Sequence, residues 1–83
     1  MKKEIKVRPI CQIADEIYRS WKAPHYGAMQ YLEAMFSLNK VSDKFGFDDG
    51  RMIVNYFLCN ASSWKGEDAR RIKKELRAIV KLG

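Results

Sequence analysis

The residues from Glu67 to Leu82 repeat apolar side chains at the spacing of an α-helix, and this pattern constrains the fold more than any other feature. Four apolar side chains share one side of such a helix: Ala69, Ile72, Leu76 and Ile79. Four cations, here called the basic face, share the opposite side: Arg70, Lys74, Arg77 and Lys81. Two more basic residues, Arg71 and Lys73, flank them. The sequence therefore predicts a helix that packs through its apolar stripe and leaves the basic face open to water.

Two further helices are predicted in the first half of the chain. The first begins at Pro9, whose missing N–H is not needed in a first turn, and ends before Pro24. The second runs from about Tyr26 to Leu38, where its apolar stripe stops. The segment from Val41 to Phe45 is compatible with one further helical turn, which Gly46 would stop.

A helix from about residue 50 to residue 62 is predicted to lie at the centre of the fold. Asp48 or Asp49 supplies its N-cap. Apolar side chains occupy nearly its whole circumference, and a helix of that kind is buried on most sides. Cys59 lies within it and is therefore expected to be buried and unreactive. Together the four helices predict an all-α fold, a compact bundle of four main helices.

The 83 residues suffice for one domain. Residues 1–8, which alternate charged with apolar side chains, are interpreted as a short N-terminal arm, and residues 9–83 as a single helical domain. The two cysteines, Cys11 and Cys59, lack paired spacing, which favours a reducing compartment and hence the cytoplasm. The most apolar stretch, Met52 to Ala61, is too short to cross a bilayer, so no membrane partner is expected.

The partner is expected to be acidic. The chain carries a formal net charge of +6, spread along its length rather than held in a tail, which favours polyanions. We expect a non-catalytic protein, a monomer or a homodimer, that contacts a host protein or another acidic partner through the basic face with Arg71 and Lys73. The alternative is a nucleic-acid-binding domain that contacts phosphates with the same residues. A helix-turn-helix is disfavoured, because Glu67 and Asp68 would repel phosphates at the start of the recognition helix.

A second candidate surface is the corner between the first two helices. It combines aromatic and basic side chains: Trp21, Lys22, His25 and Tyr26. Tyrosine and tryptophan are favoured at protein interfaces, so this corner is a candidate for a protein contact.

Little in the sequence supports catalysis. His25 is the only histidine, and no serine or cysteine lies at a recognisable catalytic spacing from it, so a capping or packing role is expected. Cys11 lies near Arg8, which would stabilise a thiolate, although a packing role at the edge of the core is favoured. No metal ligand set and no cofactor motif are recognised.

Short runs along most of the chain from about residue 8 form a further pattern: Tyr26-Gly27-Ala28, Tyr31-Leu32-x-Ala34-Met35, Phe45-Gly46-x-Asp48, Ile53-Val54-x-Tyr56-Phe57-Leu58-x-Asn60-Ala61, Trp64-x-Gly66-x-x-Ala69-Arg70 and Ile72-Lys73-x-Glu75-Leu76. On these runs the chain resembles small proteins of unknown function that bacteriophages and prophages encode. The resemblance implies a compact domain from a mobile element and favours a non-enzymatic binder of a host component. It implies no activity and no catalytic residues.

Overall fold

A computed structural model describes residues 8–82 of the chain, and the four expected helices are all present. The elements in chain order are α1 (Ile10–Ser20), α2 (Tyr26–Met35), β1 (Lys44–Phe45), β2 (Asp48–Asp49), α3 (Gly50–Cys59) and α4 (Glu67–Leu82). The fold is therefore mostly helical, but it is not purely α-helical, because β1 and β2 pair as a short antiparallel hairpin. Residues 1–7, which make up nearly all of the expected N-terminal arm, lie outside the described residues.

The first turn of α1 is held by the backbone that follows α2. The N–H of Ile10 donates to the carbonyl oxygen of Asn39 over 2.9 Å, and the N–H of Cys11 donates to that of Leu38 over 2.8 Å. The preceding residue, Pro9, has no N–H to leave unpaired. These bonds satisfy donors that have no partner within the helix, and they fix the start of α1 against the end of α2.

α2 ends at Met35, three residues before the expected end at Leu38. The chain continues in tight turns, in which the N–H of Leu38 donates to the carbonyl oxygen of Met35 over 3.1 Å. Such turns with a three-residue spacing are common at helix ends. They direct the carbonyl of Leu38 toward α1.

The prediction of a further helical turn at residues 41–45 is wrong, because this segment leads into the β1–β2 hairpin. Phe45 lies opposite Asp48 across a two-residue turn. Gly46 opens this turn with a φ of 67°, and glycine is favoured at the first position of such a hairpin turn because it has no Cβ to clash. The side chain of Phe45 is about half exposed.

The start of α3 lies directly against the backbone of the preceding segment. The N–H of Gly50 donates to the carbonyl oxygen of Asp43 over 2.7 Å, and that of Arg51 donates to Val41 over 3.1 Å. A Cβ on Gly50 would lie 2.9 Å from the carbonyl oxygen of Lys40 and 2.9 Å from the Cα of Val41. Only glycine allows this approach, so residue 50 fixes where the hairpin ends and α3 begins.

α3 packs against α2, α4 and β2, in agreement with its expected central position. Asp49 is its N-cap, since its Oδ1 accepts from the N–H of Met52 over 2.9 Å. The inward side is buried at Ile53, Val54 and Phe57. Burial around nearly the whole circumference was predicted, and this prediction is wrong on the outer side. Besides the polar Asn55, three side chains are exposed there, namely Met52, Tyr56 and Cys59. Within residues 8–82, only Tyr56 among them has an aromatic neighbour, the ring of Tyr31 on α2, with ring centres 5.3 Å apart.

The apolar stripe of α4 is buried as predicted. Its members are Ala69, Ile72, Leu76 and Ile79. They pack against α1 and α3, and full burial of an aliphatic side chain is worth about 1.5–3 kcal/mol. The stripe therefore fixes the rotation of α4 about its axis and turns the basic face outward. No helix in the described part of the chain is both long and apolar enough to cross a bilayer.

Candidate polyanion-binding surface

The four cations of the basic face are exposed along the outer side of α4. Among the side chains of residues 8–81, none of the four lies within the 4.0 Å ion-pair distance of a carboxylate oxygen. By contrast, Arg8 and Arg71 form ion pairs with carboxylates of α1 and α4. The basic face is thus a row of charges one helical turn apart that the described residues leave uncompensated.

Arg71 does not belong to this open row, although the sequence placed it beside the basic face as a contact residue. Its Nη2 lies 2.6 Å from Oε2 of Glu16 on α1 and 3.4 Å from Oδ1 of Asp68. The hydrogen bond to Glu16 raises the pKa of Arg71, with a smaller contribution from Asp68. Arg71 therefore ties α4 to α1 rather than presenting a free charge to a partner.

Arg8 completes this ion-pair network. Its Nε and Nη2 atoms donate to the two carboxylate oxygens of Glu75 over 2.8 and 2.7 Å, and its Nη1 lies 2.9 Å from Oε1 of Glu16. Glu16 thus lies between two arginines. The hydrogen bond from Arg71 lowers the pKa of Glu16 most, and Arg8 lowers it further, against the opposing effect of burial. Arg8 thereby joins the residue before Pro9 to both α1 and α4.

Lys73 is half-buried rather than open to solvent. Its Nζ donates to the carbonyl oxygen of Trp64 over 2.7 Å and lies 5.9 Å from the centre of the indole ring. Burial lowers the pKa of Lys73, and repulsion from Arg77 and Lys65 lowers it further. The two charged groups that lower the pKa of Lys73 are therefore both cations.

A hollow of about 360 Å³ lies where the α3–α4 turn meets α4. Five polar side chains line it: Ser62, Lys65, Arg70, Lys73 and Arg77. No carboxylate lines it among the described residues, and Glu67 and Asp68 at the start of α4 are not part of its wall. The hollow therefore brings two cations of the basic face, Arg70 and Arg77, together with further positive charge and offers hydrogen-bond donors to an anion.

Sequence reasoning missed Lys65 and Ser62. Both lie in the turn before α4, outside any helical stripe, and only the folded turn brings them beside Arg77. The sequence feature that could have indicated Lys65 is its position directly after Trp64 and just before the start of α4. A buried tryptophan at the end of a turn fixes the direction of its neighbours, but that burial is evident only from the fold.

The expected contact corner between α1 and α2 is divided by the structure. Trp21 is only 7% exposed and stacks on Trp64, with ring centres 5.4 Å apart and planes 14° apart. It also meets Phe57 edge to face. The interpretation of Trp21 as a contact residue is therefore wrong: its ring fills the core that α3 and the following turn provide.

The other three residues of this corner are exposed. His25 is the N-cap of α2, because its Nδ1 accepts from the N–H of Gly27 over 2.9 Å. This agrees with the expected capping role. Tyr26 is 91% exposed, and Lys22 is also open to solvent. Without Trp21 the corner has one exposed ring and two polar side chains, which is a weaker candidate than the basic face.

The two thiols lie in different surroundings. Cys11 is half-buried, and its Sγ lies 3.6 Å from Oδ1 of Asn39, while the nearby guanidinium of Arg8 is held by Glu16 and Glu75. Cys59 is exposed, so the expectation that it is buried is wrong. No three His, Cys, Asp or Glu side chains in the described segment come together as a metal site would require.

Comparison of the chain with models of protein families, with curated proteins and with solved structures gave no match.

Proposed function

We propose that this protein is a non-catalytic interaction protein that binds an acidic partner through the basic face of α4. The observation that carries the proposal is the division of the cations on α4. Arg71 and Lys73 are used within the fold, whereas the basic face is exposed without a carboxylate partner among residues 8–81. Uncompensated charges along one helix favour association with a surface of opposite sign.

The partner is proposed to be an acidic protein of a bacterial host, met in the cytoplasm. This part of the proposal is supported by the resemblance to proteins of bacteriophages and prophages and by the two thiols without paired spacing. The exposed Tyr26 and Lys22 would then extend the contact only if the partner also reaches the α1–α2 corner.

Nucleic acid is the second candidate partner, and the hollow beside α4 favours it. Its lysine and arginine side chains suit phosphate oxygens. Trp21 and Trp64, however, are buried and cannot stack on bases. A nucleic acid would therefore be held through its phosphates, with little preference for sequence.

The proposal is tested with two labelled probes, an acidic polypeptide of glutamate and a DNA duplex, titrated at low ionic strength. We expect the polypeptide to bind the wild type and to lose most of its affinity for Arg70→Glu/Arg77→Glu. The matched control is Lys40→Glu/Lys44→Glu, which alters two exposed cations away from α4. Each of the four replacements changes the charge by two, so both variants move from +6 to +2.

The outcomes separate the candidates. Equal loss of affinity in both variants would show that net charge, and not the basic face, attracts the polypeptide. Binding of DNA alone, with a steep decrease as salt is added, would establish the second candidate instead. Capture of host proteins by the wild type, but not by Arg70→Glu/Arg77→Glu, followed by mass spectrometry, then identifies the natural partner.

A further inference from the structure

The hollow between the α3–α4 turn and α4 differs from the rest of the basic surface because its cations converge. Lys65 comes from the turn, Arg70 from the first turns of α4, and Arg77 from further along the same helix. Cations spread along an exposed helix would each contact a different part of a partner. Here they line one concavity of about 360 Å³, together with the hydroxyl of Ser62.

Lys73 forms the fixed part of this wall. Its bond to the carbonyl oxygen of Trp64 uses one of the three donors of an ammonium group, so two donors remain for a ligand. Trp64 itself is buried, which anchors the carbonyl that holds Lys73. The wall is thus positioned by the core before any ligand arrives, and this lowers the entropy cost of binding.

We infer that this hollow is a binding site for the phosphoryl group of a phosphomonoester. The inference rests on the proposed function, since it assigns a chemical class of ligand to part of the same basic surface. A phosphomonoester carries a charge of about −1.5 to −2 at neutral pH and three strong acceptor oxygens on one small group. Four cations and a hydroxyl around one concavity match that concentration of charge and acceptors better than the single charge of a carboxylate or of a phosphodiester.

The residues around the hollow offer few contacts to the rest of the ligand beyond its phosphoryl group. Trp21 and Trp64 close the adjoining wall with rings that are less than a tenth exposed, so no aromatic platform is offered to a base. Asp68, in the first turn of α4, pairs with Arg71. The site therefore selects the phosphoryl group, and the ligand can be a phosphorylated protein side chain or a small phosphomonoester.

The test measures binding of four probes by amide chemical shifts of the whole protein in solution: inorganic phosphate, phosphoserine, adenosine 5′-monophosphate and glutamate. We expect the first three to shift residues 62–77, and glutamate to bind about tenfold more weakly or not at all. Similar affinities for phosphoserine and the nucleotide would show that the phosphoryl group alone is recognised. A higher affinity for either one would identify the source of the phosphate while still supporting the site.

Two double variants locate the site. Lys65→Gln/Arg70→Gln removes two exposed cations of the hollow and is expected to weaken phosphoserine binding by about tenfold or more. Lys74→Gln/Lys81→Gln removes two exposed cations of α4 that do not line the hollow, and it should leave phosphoserine binding within about twofold. Equal effects of the two variants would overturn the site, and so would equal affinity for glutamate and phosphoserine.

Failure of this inference is distinguishable from failure of the proposed function. If the glutamate polypeptide binds the basic face but no phosphomonoester shifts residues 62–77, the phosphate site is wrong and the proposed function stands. If phosphoserine binds in the hollow but neither the acidic polypeptide nor DNA binds, the phosphate site stands and the broader interaction surface is wrong.

Discussion

Lys73 and Trp64 are joined by a hydrogen bond of 2.7 Å from the Nζ atom to the backbone carbonyl oxygen. This bond connects α4 to the turn that precedes it and places a half-buried ammonium beside Arg77 and Lys65. The cations of α4 therefore have two roles. Some hold the fold together, and the rest form the surface that we propose to meet a partner.

The first prediction concerns the charge of Lys73. Because repulsion from Arg77 contributes to lowering the pKa of Lys73, Arg77→Gln should raise this pKa toward its ordinary value of 10.5 without fully restoring it, since burial remains. The measurement is an NMR titration of the lysine side-chain carbons. Arg19→Gln, which alters an exposed arginine on α1 paired with Asp15, is the control and should leave the pKa of Lys73 unchanged. An unchanged pKa in Arg77→Gln would mean that the two cations do not converge.

The second prediction concerns the aromatic core. Trp64→Ala removes the stacking on Trp21 and the edge-to-face contact with Phe57, and it leaves a cavity beneath the hollow. Such truncations cost about 3–5 kcal/mol, a large part of the stability expected for so small a domain. Urea denaturation measures the change in the free energy of unfolding. Tyr26→Ala, at a side chain that is 91% exposed, is the control and should change it by less than about 0.5 kcal/mol.

The third prediction separates two neighbouring aspartates. Asp49 caps α3 through the N–H of Met52, so Asp49→Ala should lower the free energy of unfolding by about 1 kcal/mol. Asp48 has no such role in the structure, and Asp48→Ala should have a much smaller effect. Thermal denaturation of the two variants gives the comparison. A larger loss in Asp48→Ala than in Asp49→Ala would contradict the position of the cap.

The fourth prediction concerns Glu16 and pH. Its pKa is lowered below the ordinary value of 4.5, mainly by the hydrogen bond from Arg71 and then by Arg8. At a pH somewhat below 4.5 the unfolded chain therefore binds more protons than the native one, and stability decreases as the pH falls through the folded pKa. We expect Glu16→Gln to be less stable by about 1 kcal/mol at neutral pH, and this difference should shrink in acid.

The control for Glu16 is the exposed pair of Asp15 and Arg19 on α1. Exposed pairs of this kind contribute little, so Asp15→Asn should change the unfolding free energy less than Glu16→Gln at neutral pH. Denaturation curves recorded from neutral to acidic pH measure both variants. A difference between Glu16→Gln and the wild type that persists unchanged in acid would contradict the ionic origin of the effect.

The helices were predictable because their stripes are long and regular. The buried side of α4 follows from the spacing of Ile72, Leu76 and their neighbours alone, and it sets which cations face outward. The hairpin was not predictable in the same way, since strands of two residues have no periodicity to detect. Val41 and Phe45 lie four positions apart, which is also the spacing of a helical turn. Gly46 is compatible both with the end of a helix and with the first position of a hairpin turn.

The candidate site was predictable only in part, because charge pairing and burial depend on neighbours distant in sequence. The sequence places Arg71 beside the basic face as a further contact residue, yet Arg71 meets Glu16, 55 positions earlier in the chain. Trp21 was named as a candidate contact residue of the α1–α2 corner, but it stacks on Trp64. The share of Lys65 in the hollow depends likewise on how the turn folds.

The most direct test of the proposed surface is a map of amide chemical shifts for the ¹⁵N-labelled protein titrated with the glutamate polypeptide at low ionic strength. We predict that the shifted amides are confined to residues 62–81 and that the shifts disappear in Arg70→Glu/Arg77→Glu. Shifts centred on the hairpin or on the α1–α2 corner, or shifts that persist in this variant, would contradict binding through the basic face of α4.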